Sequence, residues 1–97
     1  LPKILFSHEA QSQYKKLQTS SGKQRVYKAV RKTLGLMEVD LRHPSLNTHQ
    51  YHSLKGPGGE KVFEAYAQNK TPGAYRVFWC YGPEKDEITI LAMTPHP

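Results

Sequence analysis

The chain has 97 residues, and its 14 Lys and Arg against 8 Asp and Glu give a formal charge of +6 and a pI near 9.6. That length excludes a second core, since domains cluster at roughly 100 to 150 residues, so residues 1–97 are read as a single domain. The basic balance favours nucleic acid, anionic surfaces or an acidic protein partner; Cys80, the only cysteine, excludes an internal disulfide.

No run approaches the roughly 18 apolar residues that span a bilayer, and the N-terminus offers neither the charged start nor the apolar stretch of a signal peptide. A soluble, cytoplasmic protein without a membrane partner is expected. The apolar setting of Cys80 marks it as a small core residue rather than a reactive thiol.

Leu1 to Phe6 is a short apolar run closed by Ser7, a good helix cap, with Glu9 where the helix dipole favours a negative charge; a strand and then a helix are predicted. In that helix Ala10, Tyr14 and Leu17 share one face, and Thr19-Ser20-Ser21-Gly22 breaks the pattern. A second helix follows, with Val26, Val30, Leu34, Met37 and Leu41 as its apolar stripe and Arg25, Lys28 and Lys32 as a solvated outer face. Gly35 weakens this helix without ending it.

Arg42 to Thr48 is irregular, with Pro44 and Asn47 as breakers. A short strand over Gln50 to Lys55 leads into the tight turn Gly56-Pro57-Gly58-Gly59. Three further strands are predicted over Lys61 to Gln68, Ala74 to Tyr81 and Glu87 to Met93, and their short connections imply an antiparallel meander. The order β-α-α-β-β-β-β predicts an α+β fold: a small, antiparallel-dominated sheet with both N-terminal helices on one face and the other face partly open.

One of those strands carries the best functional clue. Ala74-Tyr75-Arg76-Val77-Phe78-Trp79-Cys80-Tyr81 sets an arginine inside an aromatic segment, where an unpaired guanidinium is costly. Arg76 therefore either holds a carboxylate, with Glu64 on the neighbouring strand as the candidate, or faces an anion such as phosphate. Period-two alternation puts Arg76, Phe78 and Cys80 on one side, taken as the open one, and Tyr75, Val77, Trp79 and Tyr81 on the other. If Arg76 faces a phosphate, its loss should abolish activity with little change in melting temperature; if it is a structural ion pair, stability should collapse.

The run His52-Ser53-Leu54-Lys55-Gly56, then a strand, then Tyr75-Arg76-Val77-Phe78-Trp79, then Ile88-Thr89-Ile90-Leu91-Ala92-Met93 and a terminal histidine, resembles the RelE/ParE superfamily of toxins from type II toxin-antitoxin systems. The resemblance covers nearly the whole chain. It implies the RelE-like fold just described, with the N-terminal strand added at the edge or centre of the sheet. It also implies an antitoxin partner whose C-terminal segment wraps the toxin. In the branch similar to RelE and YoeB it implies a metal-independent endoribonuclease, an mRNA interferase acting on mRNA at the ribosome. In the branch similar to ParE it implies inhibition of DNA gyrase. A non-catalytic binding module of the same fold is the further alternative, since one scaffold hosts several activities.

For the RNA-cleaving branch, the resemblance implies that Arg76 contacts the scissile phosphate and that His96 moves a proton. Pro97 stands where a tyrosine often follows that histidine, and Thr48 where some members carry a general-base glutamate. The chemistry is consistent: a guanidinium binds two phosphate oxygens, and an imidazole serves as acid or base near neutrality. Lys55 and Lys61, flanking the glycine-rich turn, are candidates to hold substrate phosphates. His49 or His52 is a candidate base, Glu64 a candidate base or partner of a cation, and Tyr66 and Tyr81 candidate platforms for bases.

No metal is expected, because His43, His49 and His52 match no standard zinc spacing. No cofactor is expected either, because the glycine-rich turn lacks the strand-to-helix context of a nucleotide-binding loop.

Overall fold

The computed structural model describes residues 2–96. Strand β1 (Lys3–Phe6) leads into helix α1 (His8–Thr19), helix α2 (Gln24–Val39) and strands β2 (His49–Lys55), β3 (Lys61–Tyr66), β4 (Tyr75–Tyr81) and β5 (Glu87–Pro95). The five strands form one sheet in the order β1-β5-β4-β3-β2. β2 to β5 make the predicted antiparallel meander. β1 lies parallel to β5 at one edge of the sheet, and the two helices carry the chain from it to β2 at the opposite edge.

Ser7 fixes the start of α1. Its hydroxyl oxygen accepts from the Ala10 N–H at 3.0 Å and donates to the Leu91 carbonyl at 3.0 Å, so the helix cap is tied directly to β5. Ala10 and Leu17 are buried and Tyr14 packs beside them, as the spacing predicts. In α2, Val30 and Met37 are buried, and the Thr33 hydroxyl reaches both the Ala29 carbonyl at 3.0 Å and the Tyr66 carbonyl of β3 at 3.3 Å. Leu41 is not on the helix: α2 stops at Val39, Asp40 turns extended, and its carboxylate accepts the Arg42 N–H at 2.9 Å. Leu41 joins the core from the turn that follows.

Both helices cover one face of the sheet, where Ala65, Val77, Trp79, Ile88, Ile90 and Met93 meet Ala10, Leu17, Val30 and Met37. The alternation along β4 is the predicted one, with Val77 and Trp79 on the helix side and Phe78 on the other. That second face is less open than its polarity suggests. Val62, Phe78 and Ala92 form a small core of their own, with the Tyr51 ring of β2 lying 4.9 Å from that of Phe78. Cys80 is buried.

Two strand ends depart from the prediction, and both matter for the site. β3 stops at Tyr66 rather than Gln68, because the Ala67 and Gln68 N–H groups both turn to the Tyr75 carbonyl, at 3.2 and 3.1 Å. β5 runs past Met93 to Pro95, pairing Thr94 with Arg76 and Pro95 with Tyr75. The His96 N–H then donates to the Ala74 carbonyl at 2.8 Å, which holds the chain end against β4.

Candidate functional site

Glu64 sits in the middle of β3 on the face away from the helices and is 1% exposed. A carboxylate so placed must be compensated by cations or hydrogen-bond donors. The register supplies them from both sides, since His49 of β2 is the direct partner of Glu64 and Arg76 of β4 pairs with Tyr66. His49 Nε2 lies 2.7 Å from one carboxylate oxygen, Oε1. Arg76 Nε and His96 Nε2 each lie 3.5 Å from the other, Oε2. One buried carboxylate thus gathers a histidine of β2, an arginine of β4 and a histidine of the segment after β5.

The contacts differ in kind. His49 to Glu64 is a short, charge-assisted hydrogen-bond distance. Arg76 to Glu64 is Coulombic, because at 3.5 Å neither Arg76 Nε nor Glu64 Oε2 completes a hydrogen bond. Arg76, 7% exposed, is held by other contacts. Its Nη1 donates to the Gln68 carbonyl and, at 3.4 Å, to that of Tyr75. Its guanidinium carbon lies 3.7 Å from the Tyr66 ring centroid, a stacked cation–π contact. The early end of β3 makes this possible, since it leaves the Gln68 carbonyl outside the ladder. Nη2 has no hydrogen bond among the described residues, which leaves that edge of the fork for a ligand.

The two histidines form the outer wall, with side chains 48% exposed at His49 and 45% at His96. The His49 ring also stands edge-on to Tyr66 at 5.8 Å, and its Nδ1 is 3.0 Å from the Asn47 carbonyl oxygen. The arrangement has a buried ionic floor, Glu64 with Arg76, and a rim of two imidazoles. Chemically it suits an anion that must exchange protons with imidazoles.

Of the residues singled out in the sequence, Arg76, His96, Glu64 and Tyr66 are brought together. Arg76 is the partner of Glu64, the first of its two foreseen situations. Lys55 and Lys61 are exposed and pair with each other across the far end of the β2–β3 hairpin, about 10 Å along the strand from Glu64. His52 is exposed on β2, and it is His49 that reaches the carboxylate. The register shift between Gln50 and Lys55 defeats counting back from the turn, although a histidine directly across from a buried glutamate is the signal that identifies the pair.

Tyr81 lies on the helix-side aromatic stack with Phe63 and Trp79, so it is not near this cluster. His43 is spent locally, its Nδ1 accepting the Ser45 N–H at 3.1 Å. The glycine-rich turn is filled by its own chain: the Glu60 carboxylate accepts the Gly58 N–H at 2.8 Å. A Cβ on Gly56 would sit 2.4 Å from that carboxylate, so the turn cradles Glu60.

No family model matches the chain, and no curated protein matches its sequence. Solved structures do match its fold. A YoeB/ParE toxin from Agrobacterium tumefaciens superposes with a TM-score of 0.69 at 9% identity, over 98% of this chain and 99% of the other. The YoeB dimer from Staphylococcus aureus gives 0.63 at 17% identity, over 99% and 98%. The intact E. coli RelBE toxin-antitoxin complex gives 0.64 at 12% identity, over 100% and 99%. At such identities the likeness is one of fold, and the fold is that of the RelE, YoeB and ParE toxins, as the resemblance in the sequence led one to expect.

Proposed function

We propose that the chain is the toxin of a type II toxin-antitoxin pair, a metal-independent endoribonuclease that cleaves mRNA on the ribosome and is silenced by its antitoxin. The observation that carries this reading is the cluster on Glu64: an arginine and two histidines converge there in a basic chain of RelE-like fold. Cleavage without a metal needs a base for the 2′-hydroxyl, an acid for the leaving 5′-oxygen, and a cation for the phosphorane between them. Arg76 stabilises the phosphorane through the Nη2 edge, and His96 moves a proton. Tyr66 serves by holding the guanidinium flat rather than by stacking on a base.

Lys55, Lys61 and His52 lie together on the exposed hairpin and engage substrate phosphates away from the scissile bond. The RelBE neighbour is a toxin-antitoxin complex, which supports an antitoxin as the protein partner. Among the described residues no helix is long and apolar enough to cross a membrane, which accords with a cytoplasmic site of action.

The test is to express wild type and His96→Ala from a tightly controlled promoter and to map the 5′ ends of cellular mRNA within minutes of induction. New ends in the wild type that vanish in the variant are expected. Growth arrest without new ends would replace this reading with gyrase inhibition, and no arrest would replace it with a non-catalytic binding module.

A further inference from the structure

On the helix side of the sheet, away from Glu64, the ends of β3 and β4 and the segment that joins α2 to β2 enclose an open cavity of about 540 Å³, within the range of small-ligand sites. Its floor is aromatic. Phe63 and Trp79 are cross-strand partners with rings 5.0 Å apart and 30° from parallel, and Tyr81 stands edge-on to both, at 79° and 75°. Trp79 is 2% exposed and Tyr81 58%, so the Tyr81 ring is the one a flat ligand can cover.

The rim is polar. Arg42 lines it, and although the Asp40 carboxylate accepts the Arg42 backbone N–H, the Arg42 guanidinium makes no hydrogen bond or ion pair among the described residues. The side-chain amide of Asn47 is likewise uncommitted, while its backbone N–H donates to the Pro44 carbonyl at 3.1 Å. His43 accepts the Ser45 N–H on Nδ1, which leaves Nε2 as a donor. No acidic residue lines the cavity. A nucleobase matches this set, since it offers a π-face for the ring, a hydrogen-bonding edge for the rim and an attached phosphate for the guanidinium. An aliphatic side chain would use the rings alone, and an acidic one the cation alone.

Resting on the ribonuclease reading above for the identity of the ligand, we propose that this cavity is a base-binding site for single-stranded RNA, remote from the cleavage centre. One base stacks on Tyr81 and Arg42 takes the neighbouring phosphate. Tyr81 lies five residues beyond Arg76 along β4, roughly 16 Å away and on the opposite face of the sheet, so the site holds RNA outside the scissile linkage.

Trp79 is the only tryptophan, so its emission reports on this cavity. The probes are a short single-stranded 2′-O-methyl RNA, which lacks the 2′-hydroxyl needed for cleavage, and an oligomer of the same length without bases. Anisotropy of the end-labelled probes measures binding, and Trp79 emission measures occupancy of the cavity. The RNA should quench Trp79 and the base-free oligomer should not. By anisotropy, Tyr81→Ala should raise the dissociation constant for RNA at least about 5-fold, and Tyr81→Phe should leave it nearly unchanged. Arg42→Gln should lower the slope of log affinity against log salt by about 0.7. RNA that fails to bind, RNA that binds without changing Trp79 emission, equal quenching by the base-free oligomer, or wild-type affinity in Tyr81→Ala would each overturn the assignment. So would a change in Trp79 emission with protein concentration alone, which would give the cavity to a second copy of the chain. If any of these occurs while new 5′ ends still appear in cells, the ribonuclease reading stands without the base site. If RNA quenches Trp79 as expected and no 5′ ends appear, the base site stands and the ribonuclease reading falls.

Discussion

Replacing Glu64 with glutamine keeps the shape of the side chain and removes the one negative charge on which Arg76, His49 and His96 converge. Glu64 is 1% exposed and Arg76 7%, so the perturbation leaves a buried guanidinium without its counter-charge. Breaking a buried pair from one side typically costs about 3–5 kcal/mol. Two features place this case at the lower end. The Arg76 contact is 3.5 Å and lacks a hydrogen bond, and the guanidinium retains two backbone carbonyls and the Tyr66 ring. A loss of about 3 kcal/mol corresponds to a fall of roughly 12–24 °C in melting temperature for a domain of this size. Urea unfolding followed by circular dichroism measures it directly. Replacing both partners with apolar residues, Glu64→Met together with Arg76→Met, should cost much less than the sum of the two single substitutions, because an apolar replacement of both partners is close to neutral. A loss below about 1 kcal/mol, or strict additivity of the two substitutions, would mean that water compensates these charges and that the buried ionic floor described above is wrong.

Three further outcomes follow from the fold. Gly35→Ala should raise stability by about 1 kcal/mol in the same urea assay, because Gly35 lies within α2 and an added Cβ meets nothing within 4 Å. Ser7→Ala should cost about 1–2 kcal/mol, since it removes both the α1 cap and the bond to the Leu91 carbonyl; an unchanged midpoint would deny that this cap ties helix to sheet. Burial, with Glu60 as a lesser cause, pushes the Cys80 thiol above its ordinary range. The native thiol should therefore resist a disulfide reagent at pH 8 and react only on unfolding. Because its native value is raised, Cys80 contributes stability that is complete below the ordinary thiol range and is lost as pH rises through the raised value. Rapid labelling of the folded protein would contradict this.

Most of the architecture was legible because it rests on local signals. Ser7 before an amphipathic run marked the first helix, the stripe from Val26 to Met37 marked the second, and alternation along β4 separated Val77 and Trp79 from Phe78. What the residues did not disclose arises from pairing. Leu41 fits the helical period, yet Asp40 offers its own carboxylate to the Arg42 N–H and ends the helix first. The chain end was readable as a histidine but not as an ordered one, because the two added residues of β5 are held only by their partners on β4. The choice between His49 and His52 stayed open for the same reason: the irregular β2 ladder decides which histidine meets Glu64, and no spacing along the chain encodes that.

The cluster also explains why its charge is arranged around a carboxylate at all. A phosphate site needs a cation, but a guanidinium as buried as that of Arg76 would be costly to the folded protein without a counter-charge. Glu64 supplies that counter-charge, and because both it and Arg76 are buried the pair is little screened by salt. On the proposed function, the Nη2 edge of the same guanidinium takes the substrate phosphate while Glu64 faces its Nε. The proposed function therefore couples stability and activity through Glu64, whereas His49 and His96, half-exposed on the rim, contribute less to the buried pair.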